Sequence, residues 1–430
     1  MTRDFRTQVG VRTSLFQAGV FLLAVGACAP RVGAQETRAD LLAQERAAKA
    51  QESATSMPAE PSRMERTFSW AQTKLNGASG TRDGFYPEMG GMITGAGISV
   101  GPGYRHSLFG GRARFDASAA ASWRRYTMAQ SQIEWPRLLI DRLSVGAQVK
   151  YQDFTQINFF GIGGGSPKTN QTNFRLKDTD VTGFATVQAN RWLSVGGRVG
   201  VLRSVGIARG TSSLYPSTGD QFDEITAPGL TRQSGFLHAD MSFDVDTRDV
   251  PGYPTSGGRY RLSVASFHDR DYSRYSFRRV EADAAQYIPL LHKNWVLALR
   301  GRMALSQTSA GQEVPFYLLP TLGGPTTLRG FSDYRFRDRD LLLVNAEYRW
   351  PIFRAMDGAL FYDAGTVAAS ADALSMRHPH TDYGVGFRLH TPTRIMARVD
   401  LARSGEGNRV LFTFTAPLGV PNRAVVPYVP

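Results

Sequence analysis

Leu341-Leu342-Leu343-Val344-Asn345-Ala346-Glu347-Tyr348-Arg349-Trp350 sends its side chains alternately to two unlike faces. Leu342, Val344, Ala346, Tyr348 and Trp350 share one side, and Asn345, Glu347 and Arg349 share the other. A period of two belongs to a β-strand that is apolar on one face and polar on the other. The same texture recurs on both sides of this stretch. In Phe236–Asp246, Leu237, Ala239, Met241, Phe243 and Val245 oppose His238, Asp240, Ser242, Asp244 and Asp246. In 383–390, Tyr383, Val385, Phe387 and Leu389 oppose Gly384, Gly386, Arg388 and His390. Segments 142–151, 192–201, 259–265, 279–284, 395–402 and 409–416 alternate likewise, separated by Gly, Pro, Asp, Asn and Ser clusters.

A soluble sandwich turns its polar face to water and seldom charges it on strand after strand. Here both signs of charge recur on that face, while Tyr151, Tyr260, Tyr348 and Trp350 end the apolar one. This matches a lipid-facing band with aromatic girdles around a polar interior. Lipid offers no partners to backbone groups, so strands persist there only as a closed barrel. At roughly 20 residues per strand and connection, residues 84–418 hold about 16 strands. The expected fold is all-β: a transmembrane antiparallel β-barrel of about 16 strands in the cell outer membrane of a Gram-negative-type bacterium. Arginine at Val344, Phe387 or Val399 should then meet lipid, whereas Asn345 and Gly386 should face the lumen and tolerate it better, provided it fits.

The rest of the chain is consistent with this reading. Past the N-terminus no apolar run approaches the ~20 residues of a helical span; the best candidate, 296–299, runs into Arg300 and Arg302. Arg3, Arg6 and Arg12 precede an apolar stretch at 14–27 and the small-x-small site Val32-Gly33-Ala34, so residues 1–34 read as a secretory signal peptide. Val25-Gly26-Ala27-Cys28 loosely resembles a lipoprotein signal, but its central Gly is atypical, and cleavage after Ala34 is the expectation. The mature chain would then hold no cysteine, because Cys28 is the only one. Residues 35–83 are polar and read as a periplasmic N-terminal tail, with 37–54 a short helix lacking a continuous apolar face. Residues 84–430 form the barrel domain. The formal charge of +13 brings no basic helix or Lys-rich arm, so nucleic acid is not an expected partner. Outer-membrane lipid and lipopolysaccharide are.

Several motifs mimic chemistry. Gly97-Ile98-Ser99-Val100-Gly101 fits G-x-S-x-G, but a nucleophile elbow needs a strand–turn–helix and Gly-Pro-Gly-Tyr continues a strand pattern. Residues 161–166 are Gly-rich without a following Gly-Lys-Ser/Thr. His378-Pro379-His380 has no acidic or Cys partners at ligand spacing, and reads as a loop rather than a metal site. Asp240, Asp244 and Asp246 read as a charged lining. No catalytic residue, metal or cofactor is expected.

Gly323-Gly324-Pro325-Thr326-Thr327-Leu328-Arg329-Gly330-Phe331 resembles the Val-Arg-Gly-Phe/Tyr loop motif of the Omp85 superfamily, with Leu328 in the first place. Glu347-Tyr348-Arg349 and Phe361-Tyr362-Asp363-Ala364-Gly365 resemble the two barrel strands that follow. Asp246-Thr247-Arg248-Asp249, with Tyr253-Pro254-Thr255-Ser256-Gly257-Gly258, is similar to an upstream strand–turn–strand signature. Phe159-Phe160-Gly161-Ile162-Gly163 is similar to another turn. The resemblance implies an assembly or translocation protein acting with outer-membrane client or accessory proteins. Two departures stand out: 35–83 shows no POTRA pattern, and the chain runs on past the last strand pattern at 410–416. A passive pore or structural barrel is the alternative; an outer-membrane hydrolase is disfavoured because no inward Ser/His/Asp set is apparent.

Alternation puts Glu347 inward, and the resemblance puts Asp363 inward on the next strand. A loop folded into the lumen would set Arg329, flanked by Leu328, Gly330 and Phe331, between the two carboxylates. A planar guanidinium can fork to both. From spacing alone Arg329 reads as a solvated loop residue and the two acids as the lining of a wet lumen; it is the resemblance that favours the lock. If the lock forms, losing Arg329 should cost more than losing either acid.

Overall fold

The computed structural model describes residues 83–89, 92–139, 141–290, 295–353 and 355–414. The expected signal peptide, Cys28 and nearly all of the 35–83 tail lie outside these residues.

The described chain is strand after strand. β1 (Gly84–Met89), β2 (Ser99–Leu108), β3 (Ala113–Ser122), β4 (Thr127–Leu138), β5 (Leu143–Phe159) and β6 (Thr172–Gln188) come first. β7 (Leu193–Arg209), β8 (Phe236–Asp246), β9 (Gly257–Asp269), β10 (Phe277–Pro289) and β11 (Val296–Gln307) follow. Two-residue strands β12 (Thr321–Leu322) and β13 (Phe336–Arg337) pair with each other inside the long connection to β14 (Asp340–Phe353). β15 (Met356–Ala368), β16 (His380–His390), β17 (Ile395–Ser404) and β18 (Gly407–Thr413) complete the order. Sixteen of these strands form one sheet in which each lies antiparallel to the next, β11 pairing with β14.

The connection between β11 and β14 shows how that sheet curls. The Tyr334 hydroxyl donates to the Thr94 carbonyl, just before β2, at 2.8 Å. Its neighbour Asp333 accepts from Arg409 of β18 at 3.3 Å. One segment reaches strands at both ends of the sheet only if the sheet wraps around it. The fold is a barrel, and this connection fills its lumen.

The faces follow the period of two. Leu237, Met241, Phe243, Val344, Val385 and Phe387 are exposed on the outside, where lipid replaces water. His238, Ser242, Asn345, Glu347, Arg349 and Arg388 are buried on the inside. The polar-lumen expectation does not hold over the whole height. β5, β6 and β7 each run 17 residues, beyond the ~9–11 that a tilted spanning strand needs. Where strands extend toward the long loops, Phe154, Phe159, Phe174, Phe236, Phe267 and Phe277 are buried with Phe316 and Tyr317 of the lumen connection. Phe159 and Phe174 meet the Phe316 ring edge-on at 5.0 and 4.8 Å. An inward loop turns that part of the lumen into a hydrophobic core, which strand periodicity cannot foresee.

Candidate functional site: a buried ionic lock

The lumen connection is shaped locally before it is held by the wall. Gly324 N–H donates to Leu328 O at 3.1 Å, Phe331 N–H to Leu328 O at 3.2 Å, and Gly323 N–H to the Thr327 hydroxyl at 2.9 Å. Gly323 and Gly324 take φ of +112° and +102°, a region that side-chain-bearing residues rarely adopt. Leu328 and Phe331 then sink into an apolar cluster with Leu322, Phe336, Leu341, Leu343 and Val367, seating the turn on β14 and β15.

That seating delivers Arg329 into the wall. Its side chain is 1% exposed. Nε and Nη2 fork onto Asp363 Oδ2 and Oδ1 at 2.7 and 2.8 Å, while Nη1 reaches Glu347 Oε2 at 2.6 Å. The guanidinium carbon lies 3.6 Å from the centre of the Phe361 ring. Asn345 Nδ2 donates to Asp363 Oδ1 at 2.8 Å and to the Thr327 carbonyl at 2.9 Å. Gly330 is required for space: a Cβ there would come within 2.6 Å of Asp382 Cβ and 2.9 Å of Ser404 Cβ. Ser404 Oγ in turn donates to Gly330 O at 2.9 Å. Burial alone would lower the Arg329 pKa, yet Asp363 and Glu347 outweigh it and hold the guanidinium above the usual arginine range.

The network extends beyond the three residues singled out in the sequence. Arg388 of β16 donates to Glu347 Oε2 at 2.7 Å and to Asp400 Oδ1 of β17 at 2.6 Å. Arg398 approaches Asp400 Oδ2 at 3.4 Å, donates to Thr413 Oγ1 at 2.6 Å, and donates to the Pro325 carbonyl of the loop. Asp382 is wholly buried and sits directly across from Asp363 in the β15–β16 ladder. Arg388 lies on the inward face by alternation alone; what alternation lacks is distance, so the partners of Arg388, Arg398, Asp382 and Asp400 were not legible.

Further along the connection, Arg335 pairs with Glu406 at 2.7 Å and donates to Ser166 O at 2.6 Å. Gly163 N–H donates to Arg337 O at 2.7 Å, so the Phe159–Gly163 turn motif meets the loop directly. Arg337 is fully buried, donates to Phe316 O at 2.6 Å, and lies among the Phe159, Phe174, Phe316 and Tyr334 rings. Burial pulls its pKa down to about 10.

The remaining motifs have structural places. Ser99 opens β2 and is buried, and strand rather than helix runs on from it to Leu108. His380 stacks on Phe336 with ring centres 3.6 Å apart. Asp240, Asp244 and Asp246 pair with Arg198, Arg259 and Arg248 at 2.7, 2.5 and 2.6 Å. Among the described residues no group of three or more His, Cys, Asp or Glu is placed to hold a metal ion. The condition that arginine fit at the lumen positions is not met. A Cβ at Gly386 would lie 2.3 Å from Asp400 Oδ1 and 2.5 Å from Arg388 Nη1. Asn345 is buried inside the network, so neither lumen position has room for arginine.

The family model described as the Omp85 superfamily domain matches residues 108–415. Among solved structures, BamA from Haemophilus ducreyi lacking POTRA domains 1–3 is similar with a TM-score of 0.55 and 17% identity, over 77% of this chain and 69% of that one. CdiB from Acinetobacter baumannii is similar with a TM-score of 0.43 and 12% identity, over 76% of this chain and 55% of that one. At such identity the first likeness speaks for the barrel fold and not for individual residues.

Proposed function

The chain belongs to the Omp85 superfamily, and on that premise we propose that it is a non-enzymatic outer-membrane protein that inserts or translocates other proteins. The observation that supports this most is the lock itself. A loop is held in the lumen by a charged network spanning β14 to β17, which suits a barrel whose interior is regulated rather than open. Glu347, Asp363, Arg329 and Arg388 pair with one another and with Asp400, and their role is to hold and release the loop. The partners of this reading are client or accessory proteins and the lipid and lipopolysaccharide around the barrel, with the N-terminal tail on the periplasmic side.

The test is reconstitution. Liposomes carrying this chain should speed the folding of an unfolded outer-membrane barrel client over empty liposomes. A Cβ at Gly95 would lie 3.6 Å from Asp333 Cβ, close to the ~3.8 Å of a disulfide, though at a strained φ of +81°, so heat-modifiability must first show that the variant folds. The Gly95→Cys/Asp333→Cys pair, in a Cys28→Ser background, therefore pins the loop under oxidation. Oxidation should slow the client and reduction restore it. No acceleration, together with steady ion conductance, would assign a passive pore instead.

A further inference from the structure

A second charged feature lies in the lumen at the short-turn end of β6 to β9, apart from the lock. A cavity of about 400 Å³ is lined there by Arg191, Arg248, Arg259 and Arg261, by Asp244 and Asp246, and by Thr186, Ser194 and Ser242. Its carboxylates are already engaged. Arg248 grips Asp246 through Nε at 2.8 Å and Nη2 at 2.6 Å. Arg259 grips Asp244 through Nε at 3.0 Å and Nη2 at 2.5 Å. In the next layer Arg198 takes Asp240 at 2.7 Å.

Arg261 has no carboxylate left to fork onto. Its side chain is 7% exposed, and its ion pair with Asp244 Oδ2, the oxygen Arg259 already holds, spans 3.9 Å. A guanidinium that opens into a cavity with no closer carboxylate offers its donors to an anionic ligand. The floor suits one. A side chain at Gly196 would approach the Ser242 hydroxyl at 3.2 Å and the Thr186 hydroxyl at 3.5 Å, so the glycine leaves these donors open. Guanidinium forks and hydroxyls around a cationic cavity are the groups that bind phosphate oxygens.

We infer that this cavity binds a phosphate group, carried either by a free phosphate ester or by a lipid headgroup. The inference goes beyond the proposed function and stands whether or not the loop lock gates anything.

Calorimetry on the full barrel in neutral detergent tests it, with glycerol 3-phosphate as soluble probe and micelles doped with phosphatidylglycerol or phosphatidylcholine as lipid probes. Saturable binding of glycerol 3-phosphate assigns the soluble ester; binding of phosphatidylglycerol micelles alone assigns the headgroup. In either case Arg261→Gln should weaken binding by about tenfold or more, and Arg302→Gln, a lumen arginine elsewhere, should leave it unchanged. Heat-modifiability checks that each variant is folded. Should Arg261→Gln fail to assemble, Ser242→Asp places a negative charge in the site and should abolish binding in a folded barrel. The bound probe should also raise the unfolding midpoint of the wild type but not of these site variants. Failure of the folded wild type to bind any probe, or equal loss in Arg302→Gln, overturns the inference.

Discussion

Arg329 on the lumen loop and Arg388 on β16 donate to one and the same atom, Glu347 Oε2, at 2.6 and 2.7 Å. Two buried cations are thus kept together by a shared carboxylate. The sequence suggested that losing Arg329 would cost more than losing either acid. The geometry shifts that ranking, because Glu347→Gln removes the one anion the two guanidiniums share and leaves them only Asp363 and Asp400 on their far sides. Breaking a buried pair costs about 3–5 kcal/mol, and Glu347→Gln should lie at or above the cost of Arg329→Gln. Midpoints of heat-modifiability on detergent gels measure both; a Glu347→Gln midpoint near wild type would remove the shared-anion account.

Arg329→Lys should not rescue Arg329→Ala. An ammonium on a flexible stem cannot fork onto Asp363 while also reaching Glu347 and stacking on Phe361. Because Arg329→Ala and Asp363→Ala break the same contact, their combined effect should fall well short of the sum. Strict additivity in that cycle would return Arg329 to an ordinary loop role.

Asp382 and Asp363 oppose each other across the β15–β16 ladder, and two buried carboxylates directly opposite cannot both keep their charge without destabilising the sheet. Asp382→Asn should therefore leave the unfolding midpoint unchanged or raise it, whereas Asp363→Asn lowers it. A fall in both would mean that Asp382 is held by attraction in the folded barrel.

Outward positions should behave differently from inward ones, for a different reason in each case. Arginine at Val344 or Phe387 meets lipid and should cost about 2–4 kcal/mol near the midplane. Arginine at Gly386 fails by collision with Asp400 and Arg388, so a small change, Gly386→Ala, should already reduce assembled barrel, while Val344→Ala should not. Equal yields of folded protein from the two alanine variants would put the register in error.

Glu224 carries a pH dependence in the loop between β7 and β8. Burial pushes its carboxyl up, but hydrogen bonds from Tyr275, Thr231 and the Gly229 amide prevail and bring it down to about 2. A depressed carboxylate stabilises fully above its unfolded value, near ~4.3, and that contribution fades as pH falls through the folded value. Exchange protection of the Gly229 and Thr231 amides, corrected for intrinsic rate, should be flat above pH ~4.3 and decline below it. Glu224→Gln should show low protection throughout.

Alternation carries the fold because lipid outside and charge inside impose opposite chemistry on neighbouring residues. It placed Glu347 inward; the inward Asp363 and the pairing of Arg329 with both acids came from the resemblance to the Omp85 loop motif, not from the period. It was silent where two inward residues on different strands must meet, as with Arg388 and Asp400, since period fixes a face and not a partner. It also misjudged the upper lumen, where Phe154 and Phe236 face inward against Phe316. Their surroundings are set by a loop distant in sequence, not by their own strand.

The bond from Tyr334 to Thr94 joins positions 240 residues apart, and Arg335 reaches Ser166 across 169. Contacts this remote close late, after the local hairpins that need little loop entropy to form. Tyr334 also adopts φ of +60°, a conformation that persists only when its surroundings are already in place. The loop should therefore dock late in assembly. Its docking marks the moment when first and last strands have both arrived, and the slowest step of assembly should be read from that bond rather than from the closure of any hairpin.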